Sequence, residues 1–324
     1  MSLFNANLII RETRKAQGLT QEQLAEGICS RETVVKVEKG ERKPNWFVMK
    51  ELMLKLGLDA ELYQDEMTSE NDVAIFRKWS ECTRLLATHK CDEAKEEIDL
   101  MESSDAWKTE LGYKILLHLK AGLFSLGNPL FVNNYYNPES AVECALKCLR
   151  LTRNDFDVDK IPEYFLSTNE YILLNFLALA YDGLGKIDKT IELWVQIKAN
   201  LEKKHVARGG GKFNNWYEGI LHNMAITLER AGRYDECLNA TREGLIFTQR
   251  THNMLLHQSY MALRAMCLMK LERIEEGQEA HKKLMMFRYA VDGHPGIPSY
   301  EQGQKWYEEL YGEKLELEAK HGTV

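Results

Sequence analysis

Five segments of the chain repeat one pattern: THKCDEAKEEI (88–98), NNYYNPESAVECAL (133–146), LGKIDKTIELW (184–194), AGRYDECLNAT (231–241) and LERIEEGQEAH (271–281). Each opens on a polar turn and continues into acidic, small and apolar residues at helical spacing. The small residues at the equivalent position are Ala94, Ala141, Thr190, Cys237 and Gly277, separated by 47, 49, 47 and 40 residues. Recurrence at such a period is the mark of stacked supersecondary units, each burying its apolar face on its neighbours. Apolar residues at i, i+3, i+4 and i+7 make the units helical. A small anchor is needed where the two helices of a unit cross closely. Long helices also require freedom from proline, which costs a helix interior about 3 kcal/mol per residue. Only 6 Pro occur in 324 residues. From residue 73 onward there is almost no strand-type alternation, so an all-α chain is expected.

The third unit carries the clearest signature, with Leu174, Leu177, Ala178, Tyr181, Thr190, Trp194 and Ile197, and the fourth supplies Leu221, Met224, Ala225, Leu228 and Cys237. Residues 73–290 therefore resemble degenerate tetratricopeptide (TPR) repeats, with helices and loops longer than the usual period of about 34. That resemblance implies a right-handed superhelix whose concave surface takes an extended peptide and is lined by the first helix of each repeat. The lining positions are Phe76, Trp79 and Thr83 in unit one and Asn175, Leu179 and Asp182 in unit three. Unit four gives His222, Asn223, Ile226 and Arg230, and unit five Gln258, Ala262, Met266 and Lys270. Asn175 and Asn223 match, or lie within one residue of, the TPR position that clamps peptide backbone, because one amide can donate to a C=O and accept from an N–H. A local hydrogen bond within the repeat is the alternative for each. Arg230 and Lys270 either meet a ligand carboxylate or remain solvated helix-surface charges.

The net charge of −7 argues against nucleic acid until it is divided. Residues 1–58 hold ten Lys/Arg against seven acidic residues, or +3, and the remainder is −10. A basic head sits on an acidic body. The expected boundaries are a head at 1–58, an acidic helical linker at 59–72, repeats at 73–290 and a capping segment at 291–324.

The head reads as short helices. Leu8 to Gln17 ends at Gly18, suited to the left-handed position after a helix. Thr20 starts the next helix with a capping box completed by Gln23. Gly27-Ile28-Cys29 forms the turn, and Ser30 caps a helix over Arg31–Lys39 that buries Val34 and Val37 and ends at Gly40. Pro44 precedes a further helix from about Asn45 to Leu56. Two short helices joined by a tight Gly-containing turn describe a helix-turn-helix.

The run LTQEQLAEGICSRETVVKVEKGERKP (19–44) resembles the phage-repressor-like (XRE/Cro) helix-turn-helix family, and its turn is similar to that of the Rgg/PlcR group. The resemblance implies that Arg31, Glu32 and Lys36 read base edges, a task their donors and acceptor suit. Gln21, Thr33, Lys39, Arg42 and Lys43 match or flank phosphate-holding positions, and Ser30 caps the recognition helix among them. Arg14 and Glu38 match a pair tying the first helix to the recognition helix. Val35, at a usually polar position, either touches a thymine methyl or is simply exposed.

Head and repeats together resemble the RRNPP family of Rgg/PlcR/PrgX-like regulators over essentially the full chain. The resemblance implies a cytoplasmic, homodimeric, quorum-sensing transcription regulator that binds double-stranded operator DNA and a short signalling peptide, without a cofactor. One alternative is an XRE–TPR regulator that binds DNA constitutively or answers to a protein partner. A TPR phosphatase is a further rival, but the head is not a helical bundle and no paired catalytic acids, HExxH or Cys/His nucleophile arrangement is present.

The N-terminus MSLFNANLIIRETRK has no basic region followed by an apolar run, so no signal peptide is expected. The longest apolar run, YILLNFLALAY (171–181), is too short for a membrane helix. Seven cysteines without a CxxC pair suit reduced thiols. Cys144 and Cys148 lie one turn apart but have no second ligand pair at zinc spacing. Gly209-Gly210-Gly211-Lys212 lacks the GxxxxGK[ST] spacing of a phosphate loop, and an inter-repeat loop is expected there. GHPGIP (293–298) should break the array before a capping helix over 299–320.

Overall fold

Four short helices open the chain: α1 (Ala6–Ala16), α2 (Gln21–Ala25), α3 (Arg31–Glu38) and α4 (Trp46–Lys55). Ten more follow in five hairpins, α5 (Glu70–Ala87) with α6 (Cys91–Ser103), α7 (Glu110–Ser125) with α8 (Pro138–Thr152), α9 (Thr168–Gly183) with α10 (Ile187–Lys204), α11 (Phe213–Arg230) with α12 (Tyr234–Thr251), and α13 (His257–Lys270) with α14 (Ile274–Asp292). α15 (Pro298–Tyr311) closes the array. The computed structural model describes residues 6–42, 44, 46–58, 70–127, 133–204, 213–251, 256–292 and 298–312, and among these every regular element is helical. The expected linker residues 59–69, the Gly209–Lys212 loop, and residues 293–297 of GHPGIP lie outside the described residues.

The repeated pattern has a common backbone cause. His89, Gly185, Gly232 and Glu272, each at the turn of its hairpin, adopt φ of 57°, 70°, 72° and 59°. Their N–H groups bond to the carbonyls of Leu86, Asp182, Glu229 and Met269, and the following N–H groups reach Leu85, Tyr181, Leu228 and Leu268. These are Schellman-type closures, which satisfy the last carbonyls of the first helix and turn the chain into the second. Glycine fits the left-handed position at two of them. His89 and Glu272 hold it with a side chain present, at an intrinsic cost on the order of 1–2 kcal/mol each. The anchors follow as expected: Ala94, Ala141, Thr190 and Cys237 are fully buried.

The chain forms two compact units, Met1–Phe213 and Asn214–Val324. In the first, α7 packs on α8 and α9, α5 packs on α6 and α7, and α10 returns along α9. The long interval before the third repeat is filled by a 3-10 turn over Val158–Glu163, held by the fully buried Asn200. The Asn200 amide donates to the carbonyls of Ile161 at 2.5 Å and Tyr164 at 2.9 Å, and its oxygen accepts from the Tyr171 hydroxyl. In the second unit α13 lies between α12 and α14, and α15 packs on α14 through Met285, Tyr307 and Tyr311.

The head is not a separate globule beside the first repeats. Its core of Ile10, Leu24, Val34, Val37, Leu52 and Met53 also takes in Phe165, from the segment leading into α9. α4 packs on both α5 and α9. All seven cysteines are free thiols. Cys148 is buried, which pushes its thiol up to about 12.

Candidate nucleic-acid interface and repeat faces

The starts of α2 and α3 are set by short-range bonds. In the capping box, Thr20 Oγ1 accepts from the Gln23 N–H at 3.0 Å and Gln23 Oε1 from the Thr20 N–H at 2.9 Å. Ser30 Oγ accepts from the Thr33 N–H at 3.3 Å. Such caps are worth about 1 kcal/mol each. α3 therefore begins at Arg31, buries Val34 and Val37 beneath, and leaves Arg31, Glu32 and Lys36 exposed above. The backbone N–H of Glu32 itself and the Ser30 hydroxyl hold the Glu32 carboxyl below its usual value, so it is an acceptor at neutral pH. Lys39 and Arg42 are exposed beyond the helix end, and Val35 is half-buried. Lys43 lies outside the described residues.

A buried pair aims this helix. Arg14 donates from Nε to Glu38 Oε1 at 2.5 Å, from a terminal nitrogen to Oε2 at 3.0 Å, and to the Leu19 carbonyl at 2.6 Å. Burial raises the Glu38 carboxyl, but the bonds from Arg14 and Gln21 outweigh it and leave the group below its usual value.

Three of the sequence-assigned side chains are engaged within the fold. Gln21 is half-buried and gives its amide to Glu38 Oε2 at 2.8 Å, so it also serves the frame of the head. Thr33 is buried, its hydroxyl 3.1 Å from that of Ser30. Trp79 is 9% exposed and packs 5.8 Å from Phe47 of the head and 6.3 Å from His118 of α7, in the wall between head and repeats.

The remaining repeat positions divide by unit. In the first, Asn175, Leu179 and Asp182 are half-buried on α9 and Thr83 is exposed on α5; the Phe76 side chain lies outside the described residues. In the second, Asn223, Ile226, Gln258, Ala262 and Met266 are half-buried, and Arg230 and Lys270 are exposed. His222 is already engaged: its Nε2 lies 2.6 Å from the Ser259 hydroxyl and its ring stacks edge-on to Tyr260 at 5.5 Å. These contacts set the α11 and α13 faces side by side.

A charged junction joins head to repeats. Arg153, the C-cap of α8, has a side chain only 5% exposed. It donates to the Glu26 carboxylate, lies 3.7 Å from Glu170 Oε1, and stacks 4.1 Å from the Tyr164 ring centre. Lys55 of α4 donates to the Glu26 carbonyl at 2.6 Å, and burial lowers its pKa to about 8. Glu170 completes a capping box with Ser167, accepting its N–H at 2.8 Å, and also accepts the Thr152 hydroxyl at 3.3 Å. Gly27 is required where the head meets it: its φ is +76°, and a Cβ there would lie 2.6 Å from both Glu170 oxygens. The Ser167–Glu170 spacing is the one sequence signal for this junction.

Glu51 of α4 faces the same region. Neither of its oxygens accepts a well-formed hydrogen bond, though the Asn169 N–H and Ser167 hydroxyl are near enough to favour its charged form. Burial dominates and, with the Glu170 charge, raises the carboxyl to about 7 despite Lys50. Lys114 and His118 of α7 line the same cavity, and burial keeps His118 neutral with a pKa of about 4. The folded state thus favours protonated Glu51. That contribution is complete below the ordinary carboxyl value near 4.5 and is lost as pH rises through 7. Glu51→Gln should therefore stabilise the protein by about 2–3 kcal/mol at pH 8 and by little at pH 5. Denaturant unfolding at the two pH values checks this, and an equal effect at both would contradict it.

No cluster of His, Cys, Asp and Glu able to hold a metal, and no helix long and apolar enough to cross a membrane, occurs among the described residues. The chain is a helical-repeat protein headed by a helix-turn-helix: residues 10–62 match the helix-turn-helix family. In fold it is similar to PlcR of Bacillus thuringiensis, solved in complex with the peptide PapR7 and DNA, at 21% identity over 95% of this chain and 99% of that one, with a TM-score of 0.53. The apo form of the competence regulator ComR from Streptococcus vestibularis shares 16% identity over 95% and 98% of the two chains, at a TM-score of 0.47. A Pyrococcus horikoshii signal-transduction ATPase with a tetratricopeptide repeat sensor shares 13% identity over 94% of this chain and 41% of its own, at 0.50. No curated protein matches the chain in sequence.

Proposed function

We propose that this protein is a cytoplasmic, homodimeric transcription regulator that reads operator DNA through α3 and takes a short signalling peptide on its repeat faces. The observation carrying this reading is the exposed Arg31, Glu32 and Lys36 row on a capped helix that Arg14 and Glu38 lock in place. Arg and Lys suit guanine O6 and N7, and the ionised Glu32 suits cytosine N4. Lys39 and Arg42 supply phosphate contacts beside them. PlcR, whose fold this chain shares, was solved with a peptide and DNA together, which supports assigning the repeats to a peptide. Asn175, Leu179, His222, Asn223, Ile226, Arg230, Gln258, Met266 and Lys270 are the positions proposed for it, with His222 acting through its Ser259 bond. Peptide binding shifts the dimer between arrangements by no more than its difference in affinity for them. Head spacing then matters because half-sites must lie about 34–36 Å apart, or a multiple of that.

The test is salt dependence on a DNA site selected from a random-sequence library. With about eight phosphates neutralised per dimer, log affinity should fall against log salt with a slope near −7. A slope near zero would overturn the DNA-binding assignment.

A further inference from the structure

Between the head and the first three repeats lies a cavity of about 360 Å³. It is bounded by the α2–α3 turn and α4 on the head side and by α5, α7, α8 and α9 on the repeat side. Small-molecule pockets fall in the range of about 300–1,000 Å³. Its walls are largely apolar and aromatic, with Phe47, Trp79 and Ile115 around the neutral ring of His118. Two carboxyl groups line it, and they differ in one respect. Glu170 is saturated by the Ser167 N–H, the Thr152 hydroxyl and Arg153. Glu51 is 9% exposed and has no well-formed hydrogen bond to either oxygen.

A buried acceptor whose nearest donors, here the Asn169 N–H and Ser167 hydroxyl, are poorly aligned is costly, and a donor that reaches it squarely recovers that cost. The nearby cation on its own helix, Lys50, holds its ammonium 5.0 Å from the Trp79 ring centre. Lys114 lines the α7 side. An anionic ligand would have to lie beside Glu51 and Glu170 together. A ligand with a flat apolar body and one protonated amine sets the body against the aromatic side chains and its N–H donors at Glu51, with the ammonium turned to the carboxyl groups rather than to Lys114.

We propose that this cavity is a binding site for a small aromatic amine, held by Glu51 and the Phe47–Trp79 wall. Because head and repeats each contribute walls, the bound amine stabilises the docked head by mass action. Its affinity and that of DNA are then coupled reciprocally, if DNA prefers or rejects the docked arrangement. This effector site is separate from the repeat faces assigned to the peptide and does not depend on that assignment.

The experiment uses the full-length protein at pH 8 and three probes of one shape: tryptamine, the uncharged 3-methylindole and the anionic indole-3-propionate. Binding is measured by calorimetry and by chemical-shift changes at the Trp79 indole. Tryptamine should bind at least tenfold more tightly than indole-3-propionate. Glu51→Gln should reduce tryptamine affinity at least tenfold while leaving 3-methylindole affinity unchanged, which shows the cavity intact in that variant. Absence of tryptamine binding to the wild type, equal affinity for the amine and the acid, or unchanged tryptamine affinity in Glu51→Gln would each overturn the proposal.

Discussion

Combining Arg31→Ala with Lys36→Ala is expected to lower affinity for the selected DNA site at least about 500-fold without altering the fold. Each side chain that pairs with a base edge is worth about 1–3 kcal/mol of discrimination. The proposed dimer presents four of them, so even the lower figure gives about 4 kcal/mol, or roughly 700-fold at tenfold per 1.4 kcal/mol. Both residues are exposed and neither contributes to the core of Ile10, Val34 and Leu52. Thermal unfolding of the double variant should therefore match the wild type. Fluorescence anisotropy on the selected site provides the measurement, and unchanged affinity would remove α3 from the recognition role.

The second large effect is expected at the junction. Arg153→Ala leaves Glu170, its side chain 1% exposed, without its nearest guanidinium. Removing one partner of a buried pair costs about 3–5 kcal/mol, because the other charge stays behind. Burial already raises the Glu170 carboxyl against the pull of Arg153 and Lys55. Without Arg153 it should rise further and take up a proton, so the loss of stability should be larger at pH 8 than at pH 5. That is the sign expected of a raised carboxyl, whose stabilising protonated form is present at low pH and lost as pH increases. Denaturant unfolding at both values reads the difference. A loss below about 0.5 kcal/mol at pH 8 would show that the junction does not hold the head.

What was legible in the sequence was local. The caps at Thr20 and Ser30 act over three residues, and both formed. The anchors Ala94, Ala141, Thr190 and Cys237 were legible because helix crossing imposes a size limit at one position in each repeat. At the turns, His89 and Glu272 take the same left-handed backbone as Gly185 and Gly232, so the pattern extends beyond the glycines that advertise it. The all-α fold was legible in the helical apolar spacing and the near absence of strand-type alternation.

What was not legible depends on partners far along the chain. The bond of Gln21 to Glu38 and the burial of Thr33 on α3 have no local signal. Trp79 has the spacing of a groove residue, yet the head covers it. Arg153 and Glu26 are 127 residues apart, and no periodicity connects them. Gly27 has the sequence context of a turn residue, which it is; the close approach of Glu170 adds a second reason that no local pattern contains. The division of charge into a basic head and an acidic body concealed this too, since the junction buries Lys55 and Arg153 with Glu51 and Glu170 beside the half-buried Glu26.

Native mass spectrometry of the protein purified from its own host after growth to high density tests the central claim most directly. The expected result is a complex of two chains carrying a short peptide on each, released on denaturation and readable by fragmentation. A bare single chain with no bound peptide would contradict the account.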